Sequence, residues 1–330
     1  MANFTKARLV ELQKKFNNKK IAVLGDMMLD SYFWGDVKRI SPEAPVPVVE
    51  VDDEFFRFGG AANVALNILK LGGIPLPIGL IGDDEDGKKF TSLIKENNIT
   101  SEGLLIDSSR PTTSKTRVIA NDHHIVRIDK ESKAFVNDSL KEKILEFLDK
   151  NIKSIDAIIL EDYNKGMLSK DLIREVIGLA NKHKLIVTVD PKFDNFFEYQ
   201  NVTVFKPNRK ETEDAFGIRI LNEKDTDNAG FDLIEKLNAK YVMLTLGEQG
   251  IAVYAKNKHL TRIPTKARKV ADVSGAGDTV ISTLTIALAA GADILEAAYL
   301  ANYAGGIVCE EVGIIPIEQQ RLFDTVRNAL

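Results

Sequence analysis

Short apolar runs alternate with segments of helical periodicity through most of the chain. The run at 21–25 carries no charge and ends in a glycine. Because strands buried on both faces appear as near-continuous apolar runs, this alternation predicts an α/β fold with a mainly parallel sheet and helices on both faces. Strands are predicted at 21–25, 78–82, 157–160, 185–189, 203–206 and 241–246, and helices at 59–69, 90–97, 139–151, 169–183, 210–216 and 230–237.

Two segments break this alternation and show β patterns instead. The first contains Pro42, Pro45 and Pro47, which interrupt any helix and are typical of edge strands and turns. The first segment, 31–58, contains a predicted edge strand at 46–51. The second segment, 111–130, contains a predicted hairpin whose strands are 113–118 and 125–129 and whose turn is at Asn121 and Asp122.

No internal repeat, low-complexity tract or flexible linker divides the chain. We therefore expect one domain over residues 1–330, on which segments 31–58 and 111–130 form a small β lid. An exposed β edge is a natural surface for pairing with another chain. We accordingly expect a homodimer formed through the lid.

Composition narrows the class of protein. The 330 residues are 44% apolar and 28% charged, which is ordinary for a soluble globular protein. The formal net charge of -4 argues against nucleic acid or an anionic membrane as a partner. The chain contains no run of about 18 apolar residues, which is the length needed to span a bilayer. The single cysteine, Cys309, excludes an internal disulfide and fits a reducing compartment, so a cytoplasmic protein is expected.

A small-residue loop near the C-terminus leads into an apolar stretch at 280–290, which ends at Gly291 as helices commonly do. Gly275, Ala276 and Gly277 would leave backbone N–H groups open at the start of this helix, where the helix dipole is positive. The pattern predicts an anion site. Asp278, in the first turn, could act as general base for a hydroxyl that attacks a phosphoryl group. Alternatively, it only complements the helix dipole.

Polar residues recur where the predicted strands end, which is the edge at which open α/β sheets bind ligands. Asn208 and Glu211 precede a helix in the arrangement of a capping box. Glu211 could equally hold Mg²⁺ through water, and the pattern does not separate the two. The strand-end groups are Asp26 and Asp30, Glu161 and Asp162, Asp190 and Lys192, Asn208 to Glu211, and Thr245 to Gly247.

Several enzyme classes are excluded by missing motifs. The chain has no G-x-x-x-x-G-K-[ST] motif, so it is not a P-loop NTPase, and no G-x-G-x-x-G follows the first strand, which argues against a dinucleotide-binding fold. The H-R-D and D-F-G motifs of protein kinases are also missing. The four histidines and Cys309 show no metal-ligand spacing.

Three motifs, in this order and spacing, resemble the ribokinase-like (PfkB) sugar kinases: residues 59–63 (Gly-Gly-Ala-Ala-Asn), 208–211 (Asn-x-x-Glu) and 272–278. The resemblance implies a three-layer α/β sandwich with a β lid, and ATP and Mg²⁺ as cofactors. It makes Asp278 the base and Gly275, Ala276 and Gly277 the anion hole. The resemblance also implies that the acceptor is bound by Asp30, Gly59, Gly60, Asn63 and Asp162. The nucleotide would be bound by Asn208, Thr245, Gly247 and Asn302. A metal ion is expected near Glu211, and dependence on K⁺ is expected around Asp272.

A narrower resemblance comes from residues 25–30, 39–48, 115–118, 162–166 and 190–192, which are similar to bacterial kinases that phosphorylate D-glycero-β-D-manno-heptose 7-phosphate at C1. Those kinases are often fused to a nucleotidyltransferase. The chain contains no H-x-G-H motif, so we expect a stand-alone kinase whose product other proteins process. The chain departs from the family pattern in two places. Glu161 stands where serine is expected, and residues 309–311 are acidic where the family tends to be neutral or basic.

A phosphorylated acceptor needs cations in the cleft. Lys115 and Arg117 lie two residues apart and would share one face of a lid strand, and Lys192 follows a sheet strand. The alternative is that the lid pair only keeps the strand soluble. A kinase of an unphosphorylated sugar such as fructose or ribose, and a silent ligand-binding regulator on the same fold, remain open.

Overall fold

The computed structural model describes residues 5–121, 123–257, 259–265, 271–311 and 313–330. The strands are β1 (Lys20–Gly25), β2 (Met27–Ile40), β3 (Pro47–Gly60), β4 (Ile74–Ile81), β5 (Leu104–Ile106), β6 (Ser114–Ala120), β7 (His123–Lys130), β8 (Ala157–Glu161), β9 (Ile186–Asp190), β10 (Val204–Phe205), β11 (Tyr241–Thr245), β12 (Ile251–Ala255) and β13 (Leu260–Ile263). The helices are α1 (Lys6–Phe16), α2 (Ala61–Lys70), α3 (Glu85–Glu96), α4 (Asp138–Asn151), α5 (Lys170–Lys182), α6 (Arg209–Phe216), α7 (Glu223–Leu237), α8 (Ala276–Ala289), α9 (Ile294–Val308) and α10 (Gln319–Asn328).

Nine strands form the large sheet in the order β13-β12-β11-β10-β9-β8-β1-β4-β5. The pairs from β11 through β10, β9, β8, β1 and β4 to β5 are all parallel, and only β12 and β13 are added antiparallel. The predicted α/β class and mainly parallel sheet are confirmed. Because the strands run the same way, the carboxyl ends of β1, β8, β9, β10 and β11 meet at one edge.

Helices cover both faces of this sheet, and strand β1 shows why. Ile21 and Val23 belong to one apolar core, which is completed by α1, α2, α8, α9 and α10. Ala22 and Leu24 belong to the other, completed by α4, α5 and α7. Alternate residues of a strand point to opposite faces, so a continuous apolar run supplies both cores. The result is the predicted three-layer sandwich.

Four strands form a second sheet in the order β3-β2-β6-β7. Strands β2 and β3 are antiparallel, β2 and β6 are parallel, and β6 and β7 form the predicted hairpin. Its turn contains Asn121 at a positive φ of 50°, whereas Asp122 lies outside the described residues. The predicted edge strand at 46–51 is part of β3, which does lie at the edge of the sheet.

The first strand pair of the small sheet begins earlier and ends later than the predicted lid segment 31–58, whereas β6 and β7 lie within the predicted segment 111–130. Strand β2 starts two residues after β1, and β3 runs directly into α2 through Gly59 and Gly60. The apolar residues Met27 and Leu29, at the start of β2, are buried in the main core. The base of the small sheet is therefore continuous with the edge at which the strands of the large sheet end.

The sequence pattern missed several elements. Helices α9 and α10 and strands β5, β12 and β13 were not predicted, and α7 begins at Glu223 although the pattern placed its start at residue 230. Helix α9 is buried along most of its length, so it shows no amphipathic periodicity. In the part of the chain that the structure describes, every helix is too short or too polar to cross a bilayer.

Candidate active site at the start of helix α8

Helix α8 begins at a tight glycine turn. Gly275 is its N-cap and has a φ of 75°, a conformation that favours glycine. A side chain at Gly275 would also meet Ile314 and the amide of Asn63 within 3.3 Å. Ala276 and Gly277 follow as the first helical residues, so their backbone N–H groups have no partner within the helix, although the N–H of Ala276 donates to the carbonyl oxygen of Val273 at 3.2 Å. The structure thus confirms the small-residue loop that leads into a buried helix.

Asp278 lies in the first turn of α8 and is only 5% exposed. The side-chain amide of Asn63 donates to its Oδ2 at 2.7 Å, and the hydroxyl of Tyr163 donates to its Oδ1 at 2.9 Å. Burial raises the pKa of Asp278 to about 6, although both hydrogen bonds act to lower it. A carboxylate that titrates near neutral pH, and whose two oxygens are held by donors, suits a general base.

Tyr163 reaches Asp278 because the loop after β8 is fixed to Asp26. The carboxylate of Asp26 accepts hydrogen bonds from the backbone N–H groups of Tyr163, Lys165 and Met167 at 2.8 to 3.1 Å. Burial, together with the nearby charge of Asp162, raises the pKa of Asp26 to about 6. We had not predicted the contact between Tyr163 and the base. No sequence pattern indicates it, because the two residues are 115 positions apart.

Asp162 also stabilises the loop after β8 through hydrogen bonds. Its carboxylate accepts hydrogen bonds from the N–H of Asn164 at 2.8 Å, the amide of Asn195 at 3.1 Å and the hydroxyl of Tyr199 at 2.6 Å. The residue is buried, and both of its oxygens are bonded within the protein. These contacts hold the loop that carries Tyr163, and the predicted contact of Asp162 with the acceptor stays a prediction.

Three buried carboxylates meet beside the glycine loop. One oxygen each from Glu161, Asp190 and Asp278 lie within 4.8 Å of one another. Lys206 Nζ lies 2.7 Å from Asp190 Oδ2, and a Cβ at Gly277 would come 3.5 Å from the same oxygen. Burial, with the charges of Asp190 and Asp278, raises the pKa of Glu161 well above its ordinary value. Lys206 was not among the predicted site residues, although it ends one of the predicted strands.

The residues predicted for the acceptor surround Asp30 at the base of the small sheet. Asp30 forms an ion pair with Arg117, and a Cβ at Gly59 would come 2.4 Å from Asp30 Oδ2. Gly60 has a φ of 54°, and a Cβ there would come 2.5 Å from the carbonyl oxygen of Asp26. Both glycines are therefore required for close approach of β3 to β1 and β2. Asn63 follows them in α2 and connects this region to the base.

Two of the three predicted cations lie over the ring of Tyr163. Lys115 Nζ and Lys192 Nζ each lie 5.3 Å from its centre, within the range of cation–π attraction. Lys192 also forms an ion pair with Glu211. Arg117 lies over the ring of Tyr32 at 5.3 Å while it contacts Asp30. The structure thus places Lys115, Arg117 and Lys192 at the same end of the sheet as Asp278.

Asn208 and Glu211 form the capping box that was one of their two predicted roles. Asn208 Oδ1 accepts from the N–H of Glu211 at 2.8 Å, and Glu211 Oε2 accepts from the N–H of Asn208 at 2.9 Å. Glu211 Oε1 contacts Lys192. Both oxygens of Glu211 therefore already have partners within the chain, and its role in metal binding stays a prediction.

A cavity of about 710 Å³ opens on the other side of the glycine loop. All four residues predicted to bind the nucleotide line it: Asn208, Thr245, Gly247 and Asn302. Ala276 and Gly277 form its inner end, so the cavity runs from the surface to the N-terminus of α8. The amide of Asn302 donates to the carbonyl oxygen of Pro264 at 2.7 Å, which ties α9 to the segment after β13. The volume is in the range of small-molecule sites.

The sequence model of the pfkB family of carbohydrate kinases matches residues 18–320. That span contains the glycine loop, the buried carboxylates and the cavity. The chain belongs to the pfkB carbohydrate kinase family. It is therefore a phosphotransferase whose acceptor is an alcohol group, as the resemblance implied.

Curated relatives of this pfkB kinase cover most of its length. A Helicobacter pylori (strain J99) protein named Bifunctional protein HldE is 43% identical over 295 residues, which are 89% of this chain and 64% of that protein. A Desulfatibacillum aliphaticivorans protein of the same name is 39% identical over 307 residues, 93% of this chain and 63% of that one. The chain thus spans just under two-thirds of the length of these relatives.

Solved structures confirm the ribokinase-like fold. The inhibited tetrameric form of phosphofructokinase-2 from Escherichia coli superposes with a TM-score of 0.75 and 19% identity, covering 94% of this chain and 99% of that one. Ribokinase from Arabidopsis thaliana, solved with ribose and ATP, gives a TM-score of 0.74 and 18% identity with the same coverage. At such low identity the likeness establishes the fold alone.

Proposed function

We propose that this pfkB kinase transfers the γ-phosphoryl group of ATP to the C1 hydroxyl of D-glycero-β-D-manno-heptose 7-phosphate, giving the 1,7-bisphosphate. The observation that supports the chemistry is the buried Asp278 in the first turn of α8, directly after the glycine turn at Gly275. The choice of acceptor is supported by the motifs at 25–30, 39–48 and 162–166. The product would be a precursor of ADP-heptose and of the lipopolysaccharide core.

In this reaction Asp278 accepts the proton of the C1 hydroxyl as the sugar oxygen attacks the γ-phosphorus and ADP departs. Asn63 and Tyr163 hold the carboxylate in place, and a carboxylate oxygen that accepts one hydrogen bond keeps a second lone pair for the hydroxyl. The N–H groups at 275–277 and the N-terminus of α8 stabilise the negative charge on the transferring group. The proton leaves Asp278 to solvent after the product departs.

The 710 Å³ cavity is the proposed ATP site. Asn208, Thr245, Gly247 and Asn302 would line the nucleotide, and Gly277 would lie at the phosphate end. Mg²⁺ bound with ATP would neutralise charge on the phosphate oxygens, and Glu211, three residues after the cavity-lining Asn208, is its predicted ligand. Phosphofructokinase-2 from Escherichia coli has been solved in complex with potassium, and by analogy we propose K⁺ near Asp272.

The acceptor would lie on the opposite side of Asp278, against the base of the small sheet. Asp30 and Asn63 would bind sugar hydroxyls, and Gly59 and Gly60 allow close approach of the backbone. Lys115, Arg117 and Lys192 supply the positive charge that a sugar phosphate needs. The predicted homodimer through the small sheet is part of this proposal, supported by the exposed apolar residues Ile40, Val51 and Ile128 on its strands.

The test is a kinase assay that measures ADP release with heptose 7-phosphate, fructose 6-phosphate, fructose and ribose as acceptors. We expect heptose 7-phosphate to give the highest kcat/KM, by at least about 10-fold. A preference for fructose or ribose would contradict the proposed acceptor, but the protein would still be a sugar kinase. A chain that binds ATP but transfers phosphate to none of the four would favour a regulator.

A further inference from the structure

We propose that Glu161, Asp190 and Asp278 form a divalent-cation site of their own, which binds Mg²⁺ or Mn²⁺ before the nucleotide arrives. The binding of the cation depends only on these three carboxylates. Its use in phosphoryl transfer rests on the proposed function.

The three side chains lie close enough together to share one ion. Their nearest oxygens lie within 4.8 Å of one another. Oxygens bound to Mg²⁺ at about 2.1 Å are roughly 3 Å apart when adjacent and about 4.2 Å apart when opposite, so binding would draw the oxygens together by up to about 1.8 Å, which side-chain rotation can supply. Each ligand comes from a rigid position: β8 ends at Glu161, β9 ends at Asp190, and Asp278 lies in the first turn of α8.

Among the three carboxylates, Glu161 gives the strongest indication that a cation binds here. Its side chain is fully buried, and neither of its carboxylate oxygens has a hydrogen-bond partner among the described residues. A buried carboxylate without a donor is costly, and buried charges are normally paired or bound to a metal. Asp190 and Asp278 each have donors, but their oxygens keep further lone pairs.

The charge balance also calls for a cation. When all three carboxylates are ionised they carry three negative charges, and the buried ammonium of Lys206 neutralises one of them through Asp190. Lys192 forms its ion pair with Glu211 and not with any of the three carboxylates. Two negative charges remain in a buried cluster, which one divalent cation would neutralise. Oxygen ligands of this type suit hard cations such as Mg²⁺ and Mn²⁺.

This site differs from the predicted metal position at Glu211. Both oxygens of Glu211 are bonded within the chain, to Lys192 and to the backbone of Asn208. A cation at Glu161, by contrast, would need no existing contact of that residue to break. It would also lie next to Gly277, at the proposed phosphate end of the cavity. The nucleotide would then meet a cation that the protein already holds.

The experiment titrates the full-length chain, stripped of metal and free of nucleotide, with MnCl₂ and measures free Mn²⁺ by electron paramagnetic resonance. We expect about one Mn²⁺ bound per chain, and at least about 10-fold weaker binding after Glu161→Gln. Glu211→Gln should keep the Mn²⁺ site, and Glu146→Gln, an exposed helical position, serves as the matched control for loss of one carboxylate.

A thermal melt in EDTA guards against misfolding of the variant. Glu161→Gln keeps the shape of a buried side chain that is costly to ionise, so its melting temperature should not fall, and Mn²⁺ should stabilise the wild type but not the variant. Absence of Mn²⁺ binding by the nucleotide-free wild type overturns the site, as does equal binding by Glu161→Gln.

If Mn²⁺ binds but no sugar is phosphorylated, the site stands and the proposed function fails. If sugar is phosphorylated but the nucleotide-free chain binds no Mn²⁺, the proposed function stands and the site fails.

Discussion

The hydroxyl of Tyr163 donates a hydrogen bond to Asp278 Oδ1 at 2.9 Å, which joins the loop after β8 to the first turn of α8. Tyr163 is in turn positioned by Asp26, whose carboxylate binds the backbone of the same loop. The geometry of the base therefore depends on a chain of contacts that begins at the end of β1. This relationship gives the site several properties that can be measured.

Loss of the Tyr163 hydroxyl should shift the pH dependence of the reaction. Tyr163→Phe removes a donor that favours the charged form of Asp278, so the pKa of Asp278 should rise above its value of about 6. A hydrogen bond to a charged group is worth about 1.5–3 kcal/mol, so the acid limb of kcat/KM should move up by roughly 1–2 pH units. Activity should recover at alkaline pH.

The control for that experiment is Tyr199→Phe, because the hydroxyl of Tyr199 donates to Asp162 and not to Asp278. Its pH profile should keep the position of the wild-type acid limb. Identical profiles for wild type and Tyr163→Phe would show that the hydrogen bond does not set the pKa of the base.

Removal of the base itself should abolish most of the activity. Asp278→Asn is expected to lower kcat by roughly 10²–10⁴-fold, the usual range for loss of a general base, with little change in the affinity for ATP. Steady-state kinetics and nucleotide titration measure the two quantities separately. A variant that kept more than about half of the wild-type kcat would reduce Asp278 to a residue that complements the helix dipole.

The same substitution should stabilise the fold at high pH. Because burial raises the pKa of Asp278 from an ordinary 3.8 to about 6, the folded state binds more protons than the unfolded state between these values. The free energy of unfolding therefore falls as pH rises through this range, and the full cost, up to about 3 kcal/mol, applies above it. Asp278→Asn removes that cost.

Urea unfolding in EDTA at about pH 8 and about pH 4 measures this effect. We expect Asp278→Asn to be more stable than the wild type at the higher pH, and the difference to shrink at the lower pH. A stability difference that is the same at both values would mean that ionisation of Asp278 does not oppose folding.

Lys115 should distinguish a phosphorylated from a neutral acceptor. If its ammonium binds the acceptor phosphate, Lys115→Ala should lower kcat/KM for heptose 7-phosphate by roughly 10–150-fold and leave the much slower reaction with a neutral sugar unchanged. Lys38→Ala, at an exposed position of β2 in the same sheet, is the matched control and should change neither rate. An equal loss with both acceptors would argue that Lys115 supports the base through Tyr163 instead.

The small sheet should respond to the acceptor more than to ATP. Asp30 on β2 and Asn63 after β3 both belong to the proposed acceptor site, so a sugar bound between them would restrict the motion of β2 and β3. The pairing of β2 with β3 shifts register between Trp34 and Gly35, which interrupts the regular ladder in the middle of the sheet.

We expect heptose 7-phosphate to slow amide hydrogen exchange in residues 46–51 and 113–118, and ATP alone to slow it less. Exchange is measured with no ligand, with each ligand and with both. Unchanged protection in the two segments would favour a rigid sheet that serves subunit pairing only.

Features that depend on neighbouring residues could be predicted from the sequence. The apolar runs predicted six of the seven parallel strands, all but β5, and the glycine loop predicted the start of α8 with Asp278 in its first turn. The capping box of Asn208 and Glu211 was one of two interpretations, and the structure confirms it. Each of these follows from backbone geometry or from periodicity within a few residues, so no distant part of the chain is needed to specify it.

The arrangement of the site was decided by the tertiary structure. Glu161, Asp190 and Asp278 come from three separate elements, and in the sequence Glu161 looks like any acidic residue at a strand end. Parallel strands carry their carboxyl ends to one edge whatever the distance between them along the chain, which brings these carboxylates together and buries them. Burial and proximity, rather than residue type, raise the pKa of Glu161 and of Asp278. The sequence determined which groups stand at the edge of the sheet, and the packing of the three layers determined which of them meet.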